Sequence, residues 1–229
     1  VLEVVVSSVR PFELMMGKIF GVASVAVVQV LIWAVLVCGA GAAVMPHVLP
    51  DGAMEAAAAL QQGGGAATAA AGDFDPETLG AIALATDVGY LAMLFGYLLL
   101  FVVGGYLLYS AMFAAVGSAV DNAQDAAQLQ TPIMIPIILA VIVEMSVLND
   151  PNSPLAFWFS LIPFTSPVVM MARIPYGIPT WEIVLSLVLL YAAFVGMVWL
   201  SAKIYRVGIF MYGKKPTLRE MFRWIRYKY

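Results

Sequence analysis

Residues 88–116 read VGYLAMLFGYLLLFVVGGYLLYSAMFAAV, a run without a single charge. A helix rises about 1.5 Å per residue, so about 20 apolar residues cross a hydrocarbon core about 30 Å thick. This run spans with length to spare, and it lacks the in–out alternation of a membrane strand. Three further runs qualify: 19–44 and 183–202, both uncharged, and 132–148, which carries only Glu144. The expected fold is an all-α polytopic membrane bundle with four spanning helices. Composition agrees. Of 229 residues, 63% are hydrophobic and 11% charged, whereas a soluble domain is about half apolar and about a quarter charged. A soluble domain, a disordered tail and a disulfide scaffold are excluded. Cys38 and His47 are the single cysteine and histidine, so neither an intramolecular disulfide nor a metal site built from His and Cys alone is available.

A fifth apolar stretch, 155–171, contains Pro163 and Pro167 around Thr165 and Ser166. Prolines at this spacing free backbone groups that lipid cannot satisfy. Two short pieces that enter and leave at one face, covered by protein, fit this better than the alternative, a fifth kinked span. Orientation follows from Lys and Arg. Arg10 and Lys18 precede the first span. Eight of the 11 basic residues follow the last: Lys203, Arg206, Lys214, Lys215, Arg219, Arg223, Arg226 and Lys228. Residues 45–87 hold six acids and no Lys or Arg. Both ends are therefore expected in the cytoplasm, with 45–87 outside, 117–130 inside, and Arg173 as the one basic residue outside. Five spans would put one basic end outside. The domain layout reads as a cytoplasmic segment 1–18, a transmembrane region 19–203 and a basic tail 204–229. Cysteines introduced at Asp73 and Lys215, in a background lacking Cys38, should react with an impermeant maleimide from outside and inside respectively. Labelling from one side only would overturn the four-span reading.

The flanking and polar residues add detail. In 1–18, Leu2, Val5, Val6 and Val9 share one helical face and Pro11 breaks or restarts the helix. The segment reads as an interfacial anchor or as a docking element for a cytoplasmic partner. In the tail, Thr217 and Glu220 have capping-box spacing. Leu218, Met221, Phe222 and Ile225 form an apolar face opposite Arg219, Arg223 and Arg226, which points to a helix on an anionic membrane surface. Residues 208–215, GIFMYGKK, approach the phosphate-binding loop but lack its Ser/Thr and follow a span instead of a buried strand, so nucleotide binding by this chain is rejected. Residues 52–72 are Ala/Gly-rich, an expected mobile loop with some helix at 54–62.

Within the spans, Glu144 is the one ionisable residue; it either serves the pathway or reaches the outer interface one turn away. Gln29, Tyr97 and the tyrosines at 90, 106 and 109 can line a polar path or anchor span ends. Gly17 and Gly21 suit close helix packing. Asp121, Asn122, Asp125 and Gln128 read as a solvated inner loop. No catalytic triad, carboxylate pair or cofactor fingerprint is present, so the chain is not expected to be an enzyme. The chain starts at Val1 without a signal-peptide pattern, and it is expected to be the C-terminal part of a longer polypeptide.

Four stretches resemble the permeases of type-2 ABC exporters: SSVRPFELMMGKIFG (7–21), GYLLYSAMFAAVGSAVDNAQDAAQLQTP (105–132), PNSPLAFWFSLIPFTSPVVMMARIP (151–175) and KIYRVGIFMYGKKPT (203–217). The similarity is greatest to the sodium-extrusion (NatB-like) group. It implies the last four helices of a six-helix bacterial inner-membrane permease, paired with a second permease copy and with a cytoplasmic ATPase that holds MgATP. This chain itself would carry no cofactor. The resemblance maps Arg10, Pro11, Phe12, Glu13, Leu14 and Met15 onto the ATPase-docking segment. It maps Pro163, Phe164, Thr165, Ser166 and Pro167 onto an outer gate. Gln29, Tyr97 and Glu144 remain the candidate pathway residues for the exported ion or small molecule. A membrane assembly component that carries no cargo is the competing function.

Overall fold

The computed structural model of the protein describes residues 11–49, 52–61, 75–119 and 123–208, and every regular element among them is helical. In chain order these are α1 Pro11–Val48, α2 Ala53–Gln61, α3 Pro76–Thr86, α4 Val88–Ala119, α5 Ala123–Val147, α6 Pro154–Leu161, α7 Ser166–Arg173 and α8 Thr180–Gly208, with a 3-10 turn at Ile174–Tyr176. Four are long and apolar enough to cross a membrane, over Ile19–Val48, Val88–Gly117, Ala126–Val147 and Thr180–Lys203. They expose large apolar side chains, among them Leu31 and Trp33 on α1, Ile138 and Ile142 on α5, and Val188 and Val195 on α8. Water would tolerate such a surface poorly, and lipid accepts it.

Two helices begin earlier than their apolar runs. The described part of α1 starts at Pro11 and continues unbroken through Gly17 and Lys18. α5 opens at Ala123, so the stretch AQDAAQLQ is helical where a loop is expected from its polarity. Its Ala, Gln and Leu are good helix formers, and helix propensity outweighs polarity there. Among the described residues between α1 and α4 are two helices, α2 close to the expected 54–62 and α3 beyond it.

The chain divides into two compact units, Val27–Leu99 and the combination of Val1–Ala26 with Leu100–Tyr229. In the first, Ala53 and Ala57 of α2 pack on Ile82 and Ala83 of α3. The Gln61 amide donates to Ala83 O and Thr86 Oγ1 at the C-terminal end of α3. Asp87 then closes α3 and opens α4, its Oδ1 accepting from Gly89 N at 2.8 Å and Tyr90 N at 3.2 Å. A carboxylate there also faces the positive end of the α4 dipole.

In the second unit, Ala115 and Val116 near the end of α4 pack on Leu129 and Ile133 near the start of α5. α8 runs parallel to α4. Tyr191 Oη donates to Leu100 O at 3.0 Å, and three turns further on Ser201 Oγ donates to Ala111 O at 2.6 Å. Between them Gly104 lets the backbone of α4 approach Leu190, since a Cβ there would lie 2.7 Å from Leu190 Cδ2. Residues 148–179 link the end of α5 to the start of α8: Ala156 and Val169 pack on Val143 and Val147, and Arg173 and Ser160 bond Glu182 and Ser186.

Candidate functional site

That linking segment is α6, a sharp break, and α7. Ser153 caps α6, its hydroxyl accepting from Ala156 N at 3.2 Å with Pro154 in the first turn. The helix stops at Ile162, whose backbone is extended. Ile162 O accepts from Thr165 N at 3.0 Å and Ser166 N at 2.8 Å. The Thr165 hydroxyl donates back to Phe159 O. The break thus satisfies the carbonyls of Phe159 and Ile162 from within, as a non-helical backbone buried in a bundle must. Pro167 lies in the first turn of α7, where proline is tolerated. Ser166, Val169, Met170 and Arg173 are the buried face of α7, at the spacing of one helical side.

The tip of the segment rests on α4. Tyr109 Oη donates to Phe164 O. A Cβ at Gly105 would meet Cβ and Cγ of Pro167 at 2.9 Å. Gly105 is 17 residues after Val88 and 12 before Gly117, the two ends of the apolar run of α4, so the tip meets α4 near the middle of that run. The flank of the segment is apolar, with Ala156 of α6 and Val169 of α7 clustered on Ala140, Val143 and Val147 of α5.

The root is polar and buried. Arg173 is 2% exposed and Glu182, in the first turn of α8, 7%. Arg173 Nη1 pairs with Glu182 Oε2 at 2.9 Å and donates to Ser160 Oγ at 2.7 Å. Its Nε donates to Pro151 O at 2.8 Å. Ser186 Oγ of α8 donates to Ser160 O at 2.7 Å. The point of entry, α6, the end of α7 and the start of α8 are tied at one place. Gly177, at φ 73, turns the chain back between α7 and α8.

The break is legible in the sequence and this clasp is not: by charge alone Arg173 counts as the one basic residue expected outside, and that count does not single out Glu182. The available signal was that Arg173 is the one Lys or Arg between Lys18 and Lys203, with a carboxylate nine residues on.

The other expected residues are dispersed. Gln29 is exposed on α1, Tyr97 is half-buried on α4, and both belong to the 27–99 unit. No hydrogen bond joins them among the described residues. Glu144 is half-buried on α5 in the other unit. Pro11–Met15 form the opening turns of α1; their side chains and the whole of Arg10 lie outside the described residues. Asp121 and Asn122, and Arg219, Arg223 and Arg226 of the expected tail helix, lie outside them as well.

The family model described as "ABC-2 family transporter protein" matches residues 1–203. The uncharacterized protein YhaP of Bacillus subtilis (strain 168) is 25% identical over 222 residues, covering 96% of this chain and 46% of YhaP. The chain thus spans less than half the length of that curated relative. No solved structure matches.

Proposed function

The chain belongs to the ABC-2 transporter family, and from that premise we propose that it forms the membrane pathway of an ATP-driven exporter. As a membrane component of such a transporter it is not itself catalytic. In our reading it is the C-terminal half of a permease in a bacterial inner membrane, with both ends of this segment cytoplasmic. It works with a second permease copy and a cytoplasmic ATPase that binds MgATP and docks at Arg10–Met15. The cargo is sodium or another ion or small molecule, and Gln29, Tyr97 and Glu144 are the polar groups offered along the spans. The arginines at 219, 223 and 226 hold the tail against anionic lipid.

The observation that carries this reading is the broken segment. Its tip, with Thr165 and Ser166 buried, meets α4 at the Tyr109 hydroxyl and at the contact of Gly105 with Pro167, and α7 behind it packs on α5 through Val169. A segment fastened by an ion pair at one end and mainly by apolar packing at the other can close a pathway and release it. Pro163 to Pro167 are the outer gate in this reading.

The decisive experiment is ATP-dependent transport in vesicles by the complete complex over a panel of ions and small molecules. Reversing Arg10 and Glu13 together should leave membrane insertion and ATP hydrolysis in place but lower transport by about tenfold, as for loss of about 1.4 kcal/mol of coupling. Retention of full coupled transport would return residues 10–15 to the role of a membrane anchor. Failure to associate with any ATPase would favour an assembly component.

A further inference from the structure

The two ends of the broken segment are held by different chemistry. At the root, one guanidinium reaches three acceptors from three stretches of chain: Pro151 O, Ser160 Oγ and Glu182 Oε2. Ser186 fastens the same turn of α6 to α8. Arg173, Ser160, Glu182 and Ser186 are all buried. At the tip, the Thr165 hydroxyl is spent on the segment's own carbonyls, and the bond from Tyr109 is the polar tie to α4.

Opening the root means separating a desolvated ion pair, among the most costly local events in a low-dielectric site. Moving the tip means giving up the neutral Tyr109 hydrogen bond and shifting the apolar contacts of Pro167 with Gly105 and of Val169 with α5, contacts that fix no direction and let packed helices slide. An apolar root of equal stability would permit sliding. A planar guanidinium bonded through both Nε and Nη1 fixes direction as well as distance. α7 joins the two ends as an arm about 10 Å long from Arg173 to Ser166.

We propose that Arg173 and Glu182 are positioning residues that make the root of the segment a fixed pivot, about which α7 and the tip swing during transport. The proposal rests on the reading of residues 163–167 as a gate and adds what stays still while the gate moves. Ser160 is the third member of the pivot.

The test uses the complete complex with its ATPase, in a Cys38→Ser background, with single reporters Phe164→Cys at the tip and Asn152→Cys at the root. The Phe164 contact to Tyr109 is through the backbone carbonyl, so it survives the reporter substitution. Asn152 is exposed. Labelling by an impermeant maleimide is compared without nucleotide and after trapping with ATP and vanadate. The tip rate should change by about tenfold between the two states, while the root rate stays constant. In Arg173→Leu/Glu182→Leu, which leaves neither charge unpaired, the root should become state-dependent and the difference at the tip should collapse. Should that variant not assemble, Ser160→Ala removes one arm of the fork and should shift both rates in the same direction, by less. A constant tip rate with the clasp intact would overturn the gate and the pivot together. A normal tip response and a constant root rate in the clasp variants would overturn the pivot and leave the gate standing.

Discussion

Arg173→Leu alone is expected to be the most damaging single substitution in the described part of the chain. It leaves Glu182, 7% exposed, without its cation, and it strips Pro151 O and Ser160 Oγ of their donor. Removing one partner of a buried pair costs about 3–5 kcal/mol, a large part of a typical total of about 5–15 kcal/mol. Folded protein extracted from the membrane should fall sharply, and its thermal midpoint with it. Arg173→Leu/Glu182→Leu should recover most of both, since an apolar pair of similar volume can replace a buried ion pair at little cost. The comparison is read by detergent-solubilised yield and a thermal melt. A single variant as stable as the double one would contradict the argument.

Gly105→Val should have the second largest effect, and on transport more than on assembly. The first carbon of the new side chain would lie 2.9 Å from two atoms of the Pro167 ring. A proline ring cannot rotate away, so the tip must move. Overpacking of this kind costs about 1–3 kcal/mol, enough to shift a balance between closed and open tips by about tenfold. ATP-driven transport should fall by that order while expression stays near normal. Gly117→Ala and Gly196→Ala are the controls. Nothing lies within 4 Å of a Cβ at either, so they should be neutral or gain up to about 1 kcal/mol from helix propensity. Equal losses at all three sites would mean that glycine flexibility matters here, not the approach of α4 to Pro167.

The contrast between these residues shows what was legible in the sequence. The four spans follow from one-dimensional quantities, run length and the absence of charge, and the helices carry them. The break was legible because Pro163 and Pro167 act locally on the backbone. α3 was missed because PETLGAIALAT follows a low-complexity stretch and forms half of a small helix pair, whose stability lies in the packing of Ala53 and Ala57 on Ile82 and Ala83. The clasp was missed for a related reason. Charge counting treats Arg173 as one cation on one side of a membrane, whereas its partner is set by the turn at Gly177, which brings the first turn of α8 back onto the end of α7. The close approaches at Gly104 and Gly105 depend on two other helices, and no pattern within 88–116 reveals them.

The short separation between Arg173 and Glu182 also bears on biosynthesis. At about 5–20 residues per second, the carboxylate leaves the ribosome within about two seconds of the guanidinium. The positive charge can therefore be neutralised beside the insertion machinery, before the C-terminal part of α8 has emerged. A partner on α4 or α5 would have required two finished helices to find each other in lipid with an exposed charge between them. Because the partner is nearby in sequence, the most expensive polar step of assembly becomes a local event, completed while the chain is still growing.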